Sequence, residues 1–140
     1  MKESSLRSTV TNRAKSELKA HVTNVEDRTG CGIPDTILNT PAKLTAYLEL
    51  KVVKKQSRYA KLATGRLRAN QATWLTDASK VGTRAWILTH FVDGGVTMLI
   101  HGSHARAYNH KACGDIGLLA TGKWVGLIDW TELFERVMGD

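Results

Sequence analysis

The stretch Leu44-Thr45-Ala46-Tyr47-Leu48-Glu49-Leu50-Lys51-Val52-Val53 decides the fold. Side chains alternate between the two faces of a strand. Leu44, Ala46, Leu48, Leu50 and Val52 therefore share one face, and Thr45, Tyr47, Glu49 and Lys51 the other. The apolar face is expected to bury itself against a helix. The opposite face then carries a carboxylate and an amine side by side.

Working outward toward the N-terminus, Asn39-Thr40-Pro41 reads as a turn and residues 33–38 as a short strand beginning around Pro34. Residues 28–32 read as a glycine turn, because glycine supplies unusual backbone angles. A first strand is expected over 21–26. Leu6, Val10, Ala14 and Leu18 recur every four positions and predict a helix over 4–19, with Ser4 or Ser5 as its cap.

Toward the C-terminus, 54–67 reads as a basic loop and 68–81 as a helix that ends at Gly82. Its inward stripe runs through Gln71, Leu75 and Ala78, with Trp74 alongside. A buried strand is expected over 84–92. Asp93-Gly94-Gly95 forms a hairpin turn, and 96–101 returns. The glycine-rich segment 102–123 carries no clear period. A last helix covers 131–138. The alternation of helices and strands, in 140 residues, describes one α/β domain with one core.

Charge narrows the function. The net charge is +7 and the pI about 9.7. Residues 1–70 hold 14 Lys and Arg against 6 Asp and Glu, whereas residues 71–140 hold 6 against 7. From Lys51 to Arg68 there are seven basic residues and no acid. Such a run attracts polyanions, and Lys54, Lys55, Arg58, Lys61, Arg66 and Arg68 are the expected DNA-phosphate contacts.

Other classes find no footing. No apolar run approaches the roughly 20 residues needed to span a bilayer, and residues 1–20 lack a signal-peptide core, so a cytoplasmic location is expected. Cys31 and Cys113 have no zinc-finger spacing and are expected to be reduced. His101, His104 and His110 read as an exposed loop rather than a metal site. There is no phosphate-binding Walker loop and no G-x-S-x-G serine.

The chemistry gathers around Asp35, which thirteen residues separate from Glu49. Adjacent strands would bring the two acids together, and facing carboxylates repel unless a cation lies between them. Oxygen donors of this kind suit Mg²⁺ or Mn²⁺, with the backbone carbonyl of Leu50 as a further ligand. Lys51, on the face of Glu49, is placed to orient or deprotonate a water and to counter charge on a phosphate in the transition state.

Pro34-Asp35, then Glu49-Leu50-Lys51, resembles the signature of the PD-(D/E)XK nuclease superfamily. The wider string, residues 26–35 with Gly30-Cys31-Gly32-Ile33-Pro34-Asp35, followed by Arg68, Asn70-Gln71 and Trp74-Leu75, is similar to phage-type VRR-NUC and Holliday junction resolvase-like members. The resemblance covers residues 26–75. It implies a restriction-endonuclease-like core, a mixed sheet of four or five strands flanked by helices. It implies Asp35 and Glu49 as metal-binding acids, Lys51 as the catalytic lysine and Gln71 as a helical glutamine bordering the site. One more acid is expected, with Glu26 nearest the glycine turn and Glu17 and Glu3 as alternatives.

The implied activity is metal-dependent cleavage of DNA, structure-specific for branched forms. A nuclease for single-stranded, flap or duplex DNA and an inactive DNA-binding module are the alternatives. Two symmetric cuts in a junction would call for a homodimer. The large apolar side chains of 124–138 (Trp124, Val125, Leu127, Ile128, Trp130, Leu133, Phe134, Val137 and Met138) either form its interface or cover the sheet.

Overall fold

The computed structural model describes residues 1–26 and 30–139. The Arg28-Thr29 part of the expected glycine turn lies outside the described residues. Helix α1 (Glu3–Leu18) is followed by strands β1 (His21–Asn24), β2 (Thr36–Asn39) and β3 (Thr45–Val53), then helix α2 (Ala69–Lys80). Strands β4 (Arg84–Phe91) and β5 (Val96–His101), helix α3 (Ala105–His110), strand β6 (Ala120–Val125) and helix α4 (Trp130–Met138) complete the chain.

The six strands form one sheet in sequence order. Every neighbouring pair is antiparallel except β3–β4, which is parallel. A parallel pair needs a crossover, and α2 supplies it. The sheet is thus mixed, flanked by helices, and has six strands rather than the four or five expected. The sixth, β6, comes from the glycine-rich segment, where Gly122 replaces a side chain in the alternation. The same segment holds α3, so His104 and His110 sit at helical positions, not in an open loop.

Two apolar layers sandwich the sheet. On one side Leu6, Val10 and Ala14 of α1 and Leu133, Phe134 and Val137 of α4 cover Leu38, Ala46, Leu48, Leu50 and Leu88. On the other, Leu75 of α2 and Ala105 and Tyr108 of α3 pack on Val53, Ile87, Met98 and Ile100. Full burial of such side chains contributes about 1.5–3 kcal/mol each. The alternation of β3 holds: its leucines face α1 and α4, while Tyr47 stacks on Trp74 of α2 with ring centroids 5.0 Å apart.

The apolar C-terminal residues cover the sheet. Trp124, Leu133, Phe134, Val137 and Met138 are buried, and Ile128 and Trp130 pack against the same core. Of the nine side chains expected at a dimer interface, only Val125 and Leu127 are largely exposed. Asp129 caps α4 by accepting from the Glu132 amide at 3.1 Å. Its last carbonyls accept from Trp86 Nε1 and Arg84 Nε, which ties the helix end to β4. Among the described residues no helix is long and apolar enough to cross a membrane.

Candidate active site

The sheet opens at one place. β2 pairs with β3 as far as Thr36 opposite Leu48. Beyond Leu48, β3 continues along β4 to Val53, but its other edge is left without a strand. The expected strand over 33–38 begins only at Thr36, and Asp35, just before it, closes the gap with its side chain. Asp35 Oδ1 accepts from the Leu50 amide at 3.3 Å, and the Asp35 amide donates to Glu49 Oε2 at 3.3 Å. A residue in a strand turns its N–H and C=O to the same edge. The Leu50 carbonyl therefore opens onto the same gap as Asp35.

Glu49 and Lys51 point to the α2 side, where Gln71 meets both. Gln71 Nε2 donates to Glu49 Oε1 at 2.9 Å, and its Oε1 accepts from Lys51 Nζ at 3.3 Å. The same Oε1 accepts from the Arg68 amide at 2.9 Å, one half of a capping box at the start of α2. Lys51 Nζ lies 3.6 Å from Glu49 Oε1. Glu49, Lys51 and Gln71 are all buried.

The loop before Asp35 is pressed onto the first turn of α2. Gly32 has φ +86°, and a Cβ there would collide with the Asn70 carbonyl. Asn70 Nδ2 donates to the Gly30 carbonyl, which fixes the loop from the other side.

From the opposite layer, α1 brings Arg7, whose Nη2 lies 3.6 Å from Asp35 Oδ2. Its Nε is buried and has no hydrogen-bond partner among the described residues. Glu3, Glu26 and Arg68 border the resulting cleft of about 320 Å³.

Both central acids hold their protons more tightly than usual. Burial pushes Asp35 up to about 6, against the lowering effects of the Leu50 amide and Arg7. Burial and then the neighbouring Asp35 push Glu49 up to about 8, against Lys51 and the Asp35 amide. A half-buried carboxylate and a buried one at close quarters repel each other when both are ionised, and a cation between them relieves the conflict.

Asp35, Glu49, Lys51 and Gln71 are brought together as the sequence suggested. Glu26 and Glu3 both border the cleft. Glu17 does not: it lies near the end of α1, where its Oε2 is 3.5 Å from Thr131 Oγ1 of α4. The basic run is split. Of the six expected phosphate contacts, Arg68 borders the cleft, where Lys51 already stands. Lys54 and Arg58 line a separate cavity of about 170 Å³ beside Phe91 and Met98. Arg66 faces α3, while Lys55 and Lys61 are solvent-exposed.

Nor is 54–67 a free loop. Cys113 and Gly114 donate backbone hydrogen bonds to Ala60 and Arg58, and Lys61 pairs with Ala112 as a β-bridge. Sequence reasoning missed Arg7. Reading α1 for its apolar stripe passes over a charge that neighbours Leu6 in the chain yet reaches the site.

No protein-family model matches the chain, and no curated protein matches it.

The donor set fits a hard divalent cation. It consists of the half-buried Asp35 carboxylate, the buried Glu49 carboxylate and a strand carbonyl turned toward the gap that Asp35 borders. Among the described residues no three His, Cys, Asp or Glu side chains converge on one point. Mg²⁺ needs no such cage, because it keeps several waters and binds through one or two carboxylates.

Proposed function

We propose that the protein is a metal-dependent deoxyribonuclease that hydrolyses phosphodiester bonds, in keeping with its resemblance to the PD-(D/E)XK nucleases. One observation carries the reading: half-buried Asp35 meets buried Glu49 at the gap in the sheet through its backbone amide, with Lys51 and Gln71 against Glu49. Asp35, Glu49 and the Leu50 carbonyl would hold Mg²⁺ or Mn²⁺, with Glu26, at the border of the same cleft, as an additional acid outside that donor set. When bound, such an ion supplies Lewis acidity and lowers the pKa of water.

The chain's own residues do the rest. Gln71 fixes the orientation of Glu49, so that a buried carboxylate keeps one geometry. Lys51, anchored on Gln71 Oε1, orients the attacking water and counters the charge that grows on the phosphate oxygens. Hydrolysis forms a bond from the water oxygen to phosphorus and breaks the bond to the leaving sugar oxygen; of the water's two protons, one ends on that oxygen as a hydroxyl and the other passes to solvent as the phosphate monoester ionises. Arg68 at the rim is placed to grip a flanking phosphate through its planar fork of donors.

DNA is the proposed substrate, branched forms first, with a homodimer delivering the paired cuts. The test is a panel of labelled four-way junction, flap, single-stranded and duplex DNA, each with Mg²⁺, Mn²⁺ or chelator. Paired nicks in the junction support resolution. Degradation of single strands, flaps or duplex supports the alternative nuclease. Binding without cleavage of any member would leave only an inactive DNA-binding module.

A further inference from the structure

We infer that the groove between α2 and α3 is a second phosphate-backbone site, carrying a DNA strand onward from the cleft. The inference rests on the nuclease reading above. The groove has a volume of about 520 Å³ and is bordered by Arg66, Thr73, Arg106, Asn109 and His110, with no carboxylate among the described residues that line it. Arg66 and Arg106 are both exposed. They come from segments 40 residues apart in the chain.

The groove is held in shape. Asn109 grips the backbone of Leu67 from both sides, donating to its carbonyl at 2.6 Å and accepting from its amide at 2.9 Å. On the other side of Arg66, the Tyr108 hydroxyl donates to the Gly65 carbonyl at 2.8 Å. Arg66 is thus bracketed by two anchors on α3, the helix that carries Arg106. A guanidinium on a fixed backbone loses less freedom when it binds a phosphate than one on a loose loop.

The groove also adjoins the cleft. Residues 66–72 serve both: Arg66, Leu67, Ala69 and Ala72 face the groove, and Arg68 and Gln71 the cleft. A strand with one phosphate in the cleft crosses the first turn of α2 to reach the groove. Arginine forks match phosphate oxygens bidentately and carry no base information, so the site reads backbone rather than sequence.

The test is the double variant Arg66→Ala/Arg106→Ala, compared with wild type for binding of labelled single-stranded and duplex DNA. Binding is measured over a range of salt with chelator present, and cleavage with Mg²⁺. Both side chains are exposed, so the thermal midpoint should hold and serves as the folding control. The slope of log affinity against log salt should flatten by about two units, one per lost phosphate contact, and KM for DNA should rise. A folded double variant with unchanged slope and unchanged KM, beside a wild type that cuts DNA, would overturn this site and leave the nuclease standing. A wild type that neither binds nor cuts DNA would overturn both.

Discussion

Gln71 Nε2 lies 2.9 Å from Glu49 Oε1, and the same side chain accepts from the Arg68 amide through Oε1 at 2.9 Å. One residue thus ties the start of α2 to the acid on β3. Lys51 shares that oxygen. Both ends of the glutamine amide are engaged, so its removal takes one hydrogen bond each from a buried acid, a buried amine and a helix amide.

Gln71→Ala should therefore lower stability by about 1–3 kcal/mol, the cost of leaving buried polar groups unpaired. Chemical denaturation of the metal-free protein measures it. Cleavage should fall further than the fraction unfolded accounts for. Wild-type stability in this variant would mean that its partners re-pair without it.

Lys51→Ala should lower the cleavage rate by about 10²–10⁴-fold, the usual worth of a positioned acid–base or charge-stabilising group. DNA affinity should stay near wild type, since one ammonium in a buried site adds little to a basic protein's grip. Single-turnover kinetics alongside a binding titration separate the two. Near-normal turnover would reassign the lysine to a structural role beside Glu49.

The raised carboxyls set a pH dependence. Folded Glu49 keeps its proton up to about pH 8 and Asp35 up to about pH 6, whereas both ionise near 4 in the unfolded chain. Between those limits the folded state binds more protons, so stability falls as pH rises. The metal-free protein should be more stable near pH 5 than near pH 8. Glu49→Gln should flatten that fall. Added Mg²⁺ should raise the thermal midpoint more at the higher pH, because its ligands must be deprotonated. A midpoint that climbs with pH in metal-free wild type would contradict the burial of the pair.

Gly32→Ala should be costly. A residue with a side chain at φ +86° is strained, and its Cβ would push the Asn70 carbonyl away from the loop. Strain of this kind costs about 1–3 kcal/mol, and the displaced first turn of α2 carries Gln71 with it. Thermal unfolding checks the first effect. Cleavage by the folded fraction checks the second.

Much of this was legible in the residues. The alternation of 44–53 placed Glu49 and Lys51 on one face, because a strand admits no other arrangement. Gln71 stood out as a polar residue on the inward stripe of a helix. The sheet's gap was not legible. Nothing in 33–38 marks Thr36 as the first paired residue, since strand ends depend on partners distant in the chain. The basic run from Lys54 to Arg68 looked like one patch, yet α3 holds its Gly65–Leu67 end while residues 112–114 hold Arg58 to Lys61. That division depends on Tyr108, Asn109, Cys113 and Gly114, which lie in the segment without period. Arg7 was hidden for a similar reason. Its partner, Asp35, lies beyond β1, 28 residues further along the chain.

The central claim is that Asp35 and Glu49 together hold a catalytic divalent ion. It is tested most directly by titrating Mg²⁺ or Mn²⁺ into wild type and Asp35→Asn by calorimetry, with DNA cleavage measured on the same samples. Wild type should bind the ion and cleave, Asp35→Asn should lose both, and wild-type cleavage should recover from chelator only when the ion is restored. Full cleavage of DNA by wild type in excess chelator, or undiminished metal binding by Asp35→Asn, would contradict it.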